Sequence, residues 1–421
     1  MNLPKTVVIG IDGVPFDFLI QQCDKKIMPN LADIIANHPH KKMKSVYPAI
    51  SAVAWTSYMT GRNPAVHNIF GFIDRNPNPL ELIINTGAMR KCETIFESLS
   101  KKGYRVISIN VPMTYPPFPV NGIMVGCFMT PEISKVSYPE EFYRYLESRG
   151  YVIDPDARLF DESPDKFMQD IHRSLDARLA IGFDILEDRH WDFYQLHIME
   201  SDRLFHFFWD SATGNGQYSD ACRLVFRKID DFIGRVCSFI PKDARLLILS
   251  DHGFCKTHRE VQLNTLLEKA GLLSFVSGKI KSLATMHPST VCYSLIPGRI
   301  FLNLSGREQY GTVLQRDYDT VRHQIKDVLQ NLKDPETADM AIDKIFFREE
   351  IYSGPFLHRA ADIILHPKNG YDLKSHFDKD HVFMMSNISG MHTYDDAFIC
   401  GINLPIEKVD EIKDVRAILE S

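Results

Sequence analysis

Asp12, Ser51, Asp202, His206, Asp251, His252 and His392 are the residues whose types and spacing could do chemistry in this sequence. Carboxylates and imidazoles hold divalent metal ions, and a serine hydroxyl becomes a nucleophile beside such an ion. Asp202 and His206 stand four residues apart, so with Ser201 as the cap of a helix they face one side of it and share one ion. His392, in Ser389-Gly390-Met391-His392, would complete that ion's ligands. Asp12, Asp251, His252 and the Ser51 oxygen would surround a second. Mixed imidazole and carboxylate coordination fits zinc, with manganese or iron as alternatives, and disfavours calcium and magnesium, which take oxygen shells. Two such ions around a hydroxyl form a phosphoryl-transfer centre.

The elements that must position these groups can be read from apolar runs. Asp12 follows Val7-Val8-Ile9-Gly10-Ile11, and Asp251 follows Leu246-Leu247-Ile248-Leu249-Ser250. Asp202 comes soon after Phe193-Tyr194-Gln195-Leu196-His197-Ile198-Met199. Unbroken apolar runs suit strands covered on both faces by helices, and the carboxyl ends of such strands border the crevice where ligands bind. Three strands would therefore deliver an acid to one rim.

Taken in order, the motifs resemble those of the type I phosphodiesterase and nucleotide pyrophosphatase branch of the alkaline phosphatase superfamily. The segment from Ser51 through Thr60-Gly61-Arg62-Asn63-Pro64-Ala65-Val66-His67-Asn68 is similar to the family's nucleophile segment, which ends Thr-Gly-x-x-Pro-x-x-His-Gly. Glu200-Ser201-Asp202-Arg203-Leu204-Phe205-His206 matches Glu-Pro-Asp-x-x-x-His, Asp251-His252-Gly253 matches Asp-His-Gly, and His392 matches the final metal-binding histidine. Asp-His-Gly alone is a weak signal, but the ordered set spans nearly the whole chain. The resemblance implies an α/β fold with an alkaline-phosphatase-like, mainly parallel sheet sandwiched by helices. It also implies a catalytic core over 1–256 and 355–421 and an inserted cap subdomain over 257–354.

The chemistry it implies is hydrolysis of a phosphodiester or phosphoanhydride through a phosphoseryl intermediate on Ser51, with two divalent ions, zinc first, as cofactors. A phosphomonoesterase or phosphonate hydrolase with the same site is the alternative, and a non-catalytic metal-binding protein a minor one. One departure bears on substrate class: a family asparagine three residues after the nucleophile is Ala54 here. Backbone N–H groups at the start of the Ser51 helix are candidates to replace it. No Cys-x-Pro-x-Arg or Ser-x-Pro-x-Arg segment stands at the nucleophile, which argues against a sulfatase.

Other polar and aromatic residues take plainer readings. His172, His190 and His381 read as surface or satisfied core residues, and His67 as a loop brace; His258 and His366 could line a pocket without ligating. Trp55 and Phe205-Phe207-Phe208-Trp209 could stack on a ring, but core packing is the favoured reading at this spacing. Arg62 and Lys91 could meet a phosphate or serve as a solvated face.

At 421 residues and 44% hydrophobic, the chain has material for a large core. A net charge of −6 and a pI near 6.2 disfavour broad electrostatic binding to nucleic acid polymers or anionic membranes, leaving small phosphate esters, nucleotides among them, as partners. The first apolar run starts close to Met1 without a leader pattern, and the eight cysteines form no CxxC pair. A cytoplasmic protein with reduced thiols is expected. Patterning further predicts helices over 29–35, 56–59, 94–101, 165–186 and 218–239, and strands over 105–110, 361–366 and 397–400.

Overall fold

The computed structural model describes residues 4–214 and 216–421. The chain divides into two compact units: residues 1–63, 86–255 and 392–421 form the first, and residues 64–85 and 256–391 the second.

The first unit is built on an eight-stranded sheet. Its order is His40–Met43, Ala397–Ile402, Arg245–Leu249, Thr6–Ile11, Phe193–Ile198, Val106–Ile109, Gly122–Val125 and Ser137–Tyr138. The five strands from Arg245–Leu249 to Gly122–Val125 run parallel, whereas Ala397–Ile402 and Ser137–Tyr138 are antiparallel to their neighbours within the five. Every residue of Thr6–Ile11 and Phe193–Ile198 is buried, as expected of strands covered on both faces. Thr6–Ile11 lies centrally, in register with Phe193–Ile198 on one side and Arg245–Leu249 on the other. The three acid-bearing segments therefore leave the sheet side by side at their carboxyl ends. The expected α/β fold, with helices packed around a mainly parallel sheet, is the one observed.

The long helices Pro164–Asp188 and Ser219–Phe239 pack against the sheet through one buried apolar face each, and they match the expected stretches closely. Ser51–Thr60 behaves differently. All ten of its residues are buried, so it is an interior helix with no polar face; it begins at Ser51, where the sequence places its start, and residues 56–59 are the portion that patterning marked. Gly61, in the left-handed region at φ +64°, ends it.

The helix Glu200–Thr213 also begins otherwise than expected. Ser201 lies inside the first turn and does not cap it; its hydroxyl donates instead to the Asp12 carbonyl at 2.7 Å. Glu200 is buried against Arg178, whose guanidinium also donates to the Tyr151 hydroxyl and to the carbonyls of Val152 and Ile153. Both side chains of this ion pair are fully buried. The pair thus locks the first residue of the helix that carries Asp202 and His206.

The second unit has its own buried core and a four-stranded antiparallel sheet ordered Cys292–Ile296, Arg299–Leu302, Ile363–Pro367 and Ile342–Phe347. The strand predicted over 361–366 forms as Ile363–Pro367 and pairs within this second sheet; a short apolar run specifies a strand but not its partner. Ala397–Ile402 does rejoin the large sheet. All eight cysteines are free, and among the described residues no helix is long and apolar enough to cross a membrane.

Arg178→Met should cost about 3–5 kcal/mol of stability in denaturant titrations, because it leaves Glu200 as an uncompensated buried charge. The double variant Arg178→Met, Glu200→Leu should recover most of that loss; no recovery would mean that the guanidinium acts chiefly through the Val152 and Ile153 carbonyls.

Candidate metal centre

All seven candidate residues lie in the first unit, and the fold brings them together. Asp12 leaves the central strand fully buried, and its carboxylate is divided between two tasks. Oδ2 accepts a hydrogen bond from the Trp55 indole at 2.9 Å and lies 2.8 Å from His197 Nε2. Oδ1 faces the other way, 3.2 Å from the Ser51 hydroxyl and 3.6 Å from His252 Nε2. Ser51 is the first residue of its helix, so its Oγ projects from the helix start toward Asp12 and His252, the latter at 3.3 Å.

Asp251 is oriented by the Gly13 N–H, which donates to its Oδ1 at 3.1 Å, while Oδ2 is buried with no hydrogen-bonding partner among the described residues. The His252 ring places Nδ1 3.1 Å from the Gly253 carbonyl, which requires Nδ1 to be the donor. Nε2 then presents a lone pair 3.3 Å from Asp251 Oδ2. Burial, reinforced by the neighbouring His392, lowers the His252 pKa to about 3. Burial and the charge of Asp12 push the Asp251 carboxyl well above the usual carboxylate range.

A second cluster adjoins the first. His392 Nδ1 donates to the Ala49 carbonyl at 3.0 Å, leaving Nε2 directed at Asp202 Oδ1, 3.1 Å away, and at His206 Nε2, 3.0 Å away. His206 and Asp202 meet across one helical turn at 3.5 Å. The other Asp202 oxygen accepts from Arg203, which in turn pairs with Asp154. Although burial works against its charge, Asp202 is held far below the usual carboxylate range by His206, His392 and Arg203. His392 is raised even though burial opposes it, because Asp202 favours its charged form. His252 lies between the clusters, its ring stacked on His392 at 3.7 Å.

Among the described residues, ligand atoms of Asp12, Asp251 and His252 lie within 4.8 Å of one another, and so do those of Asp202, His252 and His392. Lone pairs converging on one spot repel unless a cation lies between them, and the partnerless Asp251 Oδ2 is such a lone-pair atom. The donor set therefore fits divalent ions held by nitrogen and oxygen.

Several contributors were not visible as such in the sequence. Trp55, read as core, is fully buried, and its indole N–H also orients Asp12. His197 does the same from the neighbouring strand, and its signal was present: a polar residue in a strand otherwise fit for burial. Gly10 makes room for both, since a Cβ there would lie 2.6 Å from the Trp55 ring and 3.3 Å from His197. Arg62, weighed as a phosphate ligand, is exposed just beyond the far end of the Ser51 helix and lines a separate cavity of about 710 Å³ with Arg416 and Lys413.

The fold has solved counterparts. Phosphonoacetate hydrolase from Sinorhizobium meliloti 1021, in complex with phosphonoformate, matches at a TM-score of 0.69 and 15% identity, over 99% of this chain and 96% of that one. Murine ectonucleotide pyrophosphatase/phosphodiesterase 5 matches at 0.58 and 13% identity, over 99% and 94%. An inactive form of the murine protein in complex with AMP matches at 0.57 and 13%, with the same coverage. At such identities these likenesses establish the fold alone. No curated protein matches by sequence. The family model for type I phosphodiesterase / nucleotide pyrophosphatase, however, matches residues 6–395, and the chain belongs to that family.

Proposed function

We propose that this chain hydrolyses phosphodiester or phosphoanhydride bonds of small molecules, nucleotides among them, with Ser51 as nucleophile. The observation that carries the reading is the position of Ser51 Oγ, at a helix start and within 3.3 Å of both Asp12 Oδ1 and His252 Nε2. Asp12, Asp251, His252 and Ser51 would hold one divalent ion and Asp202, His206 and His392 the other, zinc suiting the mixed donors best. Bound there, such ions lower the pKa of a coordinated hydroxyl and neutralise charge on a departing oxygen.

The chain's own residues would then act in order. The Ser51 hydroxyl gives its proton to solvent, and Oγ attacks phosphorus in line as the bond from phosphorus to the leaving oxygen breaks; a phosphoseryl ester forms and the released group takes a proton from water. Water attacks that ester from the vacated side and regenerates Ser51, and two inversions give net retention. Asp12 stays fixed throughout because Trp55 and His197 occupy its outer oxygen. Membership of the family, together with the AMP complex of the murine neighbour, supports a nucleotide-type substrate. Cleavage of a phosphonate by the same residues is the second reading, favoured by the likeness to phosphonoacetate hydrolase.

For zinc-loaded protein, kcat/KM for bis(p-nitrophenyl) phosphate should exceed that for p-nitrophenyl phosphate, and Ser51→Ala should lower it on the order of 10³-fold or more. A ratio below one would overturn the diesterase reading, and undiminished turnover by the variant would remove Ser51 from the mechanism. Chelation should abolish turnover, and zinc at 100 times its Kd should raise unfolding stability by about 2.7 kcal/mol. An unchanged melting curve would speak against the metal reading. Trp55→Phe, which keeps the ring but loses the indole N–H, should weaken zinc retention by roughly 10–100-fold in competition with a chromogenic chelator.

A further inference from the structure

We infer that the edge strand Leu80–Ile84 of the second unit pairs with the same strand of a second copy of this chain, antiparallel and centred on Leu82. The strand belongs to a two-stranded sheet with Ile73–Pro77, and among the described residues no third strand joins that sheet. A strand at the margin of a sheet presents unpaired N–H and C=O groups, and proteins ordinarily blunt such margins with charges, bulges or very short strands. Other margins in this chain carry those devices. His40–Met43 holds Lys41 and Lys42, and Ile342–Phe347 holds exposed Asp343 and Lys344 beside a shift of register. Ser137–Tyr138 and Phe383–Met384 are two residues long. Leu80–Ile84 is longer, pairs with Ile73–Pro77 without a bulge, and holds one charge, Glu81.

Which of its backbone groups point outward follows from the hairpin's hydrogen bonds. Register partners are Ile73 with Ile84, Asp74 with Ile83, Arg75 with Leu82, Asn76 with Glu81 and Pro77 with Leu80. One position further on, the Asn85 N–H donates to the Phe72 carbonyl at 2.8 Å. Facing residues alternate between pairs that bond each other and pairs whose N–H and C=O groups turn away. Since Phe72 and Asn85 bond, Asp74 with Ile83 and Asn76 with Glu81 bond as well. The pairs between them turn their groups outward, and the Pro77 carbonyl accordingly accepts from the Gln309 N–H at 3.1 Å. On the free side, the outward groups are those of Leu80, Leu82 and Ile84.

The same three residues form an apolar row. Leu82 and Ile84 are 52% and 68% exposed, and Ile73, opposite Ile84, is 43% exposed. Leu80 packs against the second unit's core. Arg75, on the same face, stacks on Phe301 and pairs with Glu308, so this face looks toward that core and the row overhangs its margin.

A second copy is the occupant because the row complements itself. A twofold axis perpendicular to a sheet pairs only residues an even number of positions apart, since both must lie on one face and bond alike. With the axis at Leu82, that residue meets its own counterpart and Leu80 meets Ile84 on either side. All three outward positions then bond at once. Glu81 falls opposite Ile83 on the other face, so no like charges meet. An axis at Ile84 would need residues 85–88 extended, but Gly87–Met89 is a short helix; an axis at Leu80 runs into the turn at Asn78 and Pro79. The exposed apolar row is small, which places the pair at the low end of specific interfaces, below about 1,200 Å² in total, where association is weak and reversible.

None of the seven metal-centre candidates takes part, so the inference stands apart from the hydrolase reading. Sedimentation equilibrium of the full chain should show a reversible monomer–dimer equilibrium with a Kd on the order of 10 μM. Leu82→Lys, which sets two cations face to face at the axis, should weaken it about tenfold or more, and Glu81→Gln should leave it unchanged. Under mild oxidation Leu82→Cys should cross-link position 82 of one copy to position 82 of the other, because bonded partners have Cα atoms about 5.5 Å apart, within disulfide reach. Ile83→Cys should give no such cross-link. A chain that stays monomeric at ten times that concentration would overturn the inference and leave the edge to a strand of another protein. A dimer that Leu82→Lys leaves intact would overturn it in favour of another surface. If Leu82→Lys does not fold, the Leu82→Cys cross-link, mapped by mass spectrometry, decides: its absence would equally overturn the pairing.

Discussion

The division of labour between the two oxygens of Asp12 is the constraint on which the site depends. One oxygen is taken by Trp55 and His197, which leaves the other free to face Ser51 and His252. The backbone of the same residue is held as firmly: its N–H donates to Ile198 and its carbonyl accepts from Ser201. Asp12 thereby ties the central strand to the Ser51 helix and to the helix that carries Asp202 and His206. A carboxylate so constrained loses little further freedom when it acts.

Burial is what gives this arrangement its force. Three carboxylates and three imidazoles sit close together, the carboxylates and His252 fully or almost fully buried and His206 and His392 partly so, and the responses diverge. Asp251 resists ionisation, His252 resists protonation, and Asp202 and His392 favour their charged forms. Opposed shifts of this kind within one cluster are characteristic of functional sites. The Arg178 and Glu200 pair shows the contrasting solution, in which a buried acid is matched by a buried base and several acceptors.

The polar residues of the sheet follow from the same demand. Ser108, Gln195 and His197 interrupt strands that could have been wholly apolar, and Gly10 gives up a side chain so that Trp55 and His197 can meet. Each weakens the core locally. Trp55 and His197 together make the surface beneath the Ser51 helix a framework for Asp12.

The sequence by itself determined the acid-bearing strands, the α/β class and the order of the motifs, and it named seven candidate side chains, because apolar runs and the acids that follow them are local patterns. It also paired Asp202 with His206, since four residues make one helical turn. It placed a helix start at Ser51 but could not show that this helix is buried on all sides, because an interior helix has no polar face. Nor could it show that Ser201 bonds to Asp12, or that Ile363–Pro367 pairs within the second unit. Those outcomes, like the roles of Trp55 and His197, were decided by tertiary structure. Which oxygen meets which donor depends on residues 39 to 185 positions apart arriving at one point, and only the packing of the Ser51 helix on strands in register brings them there.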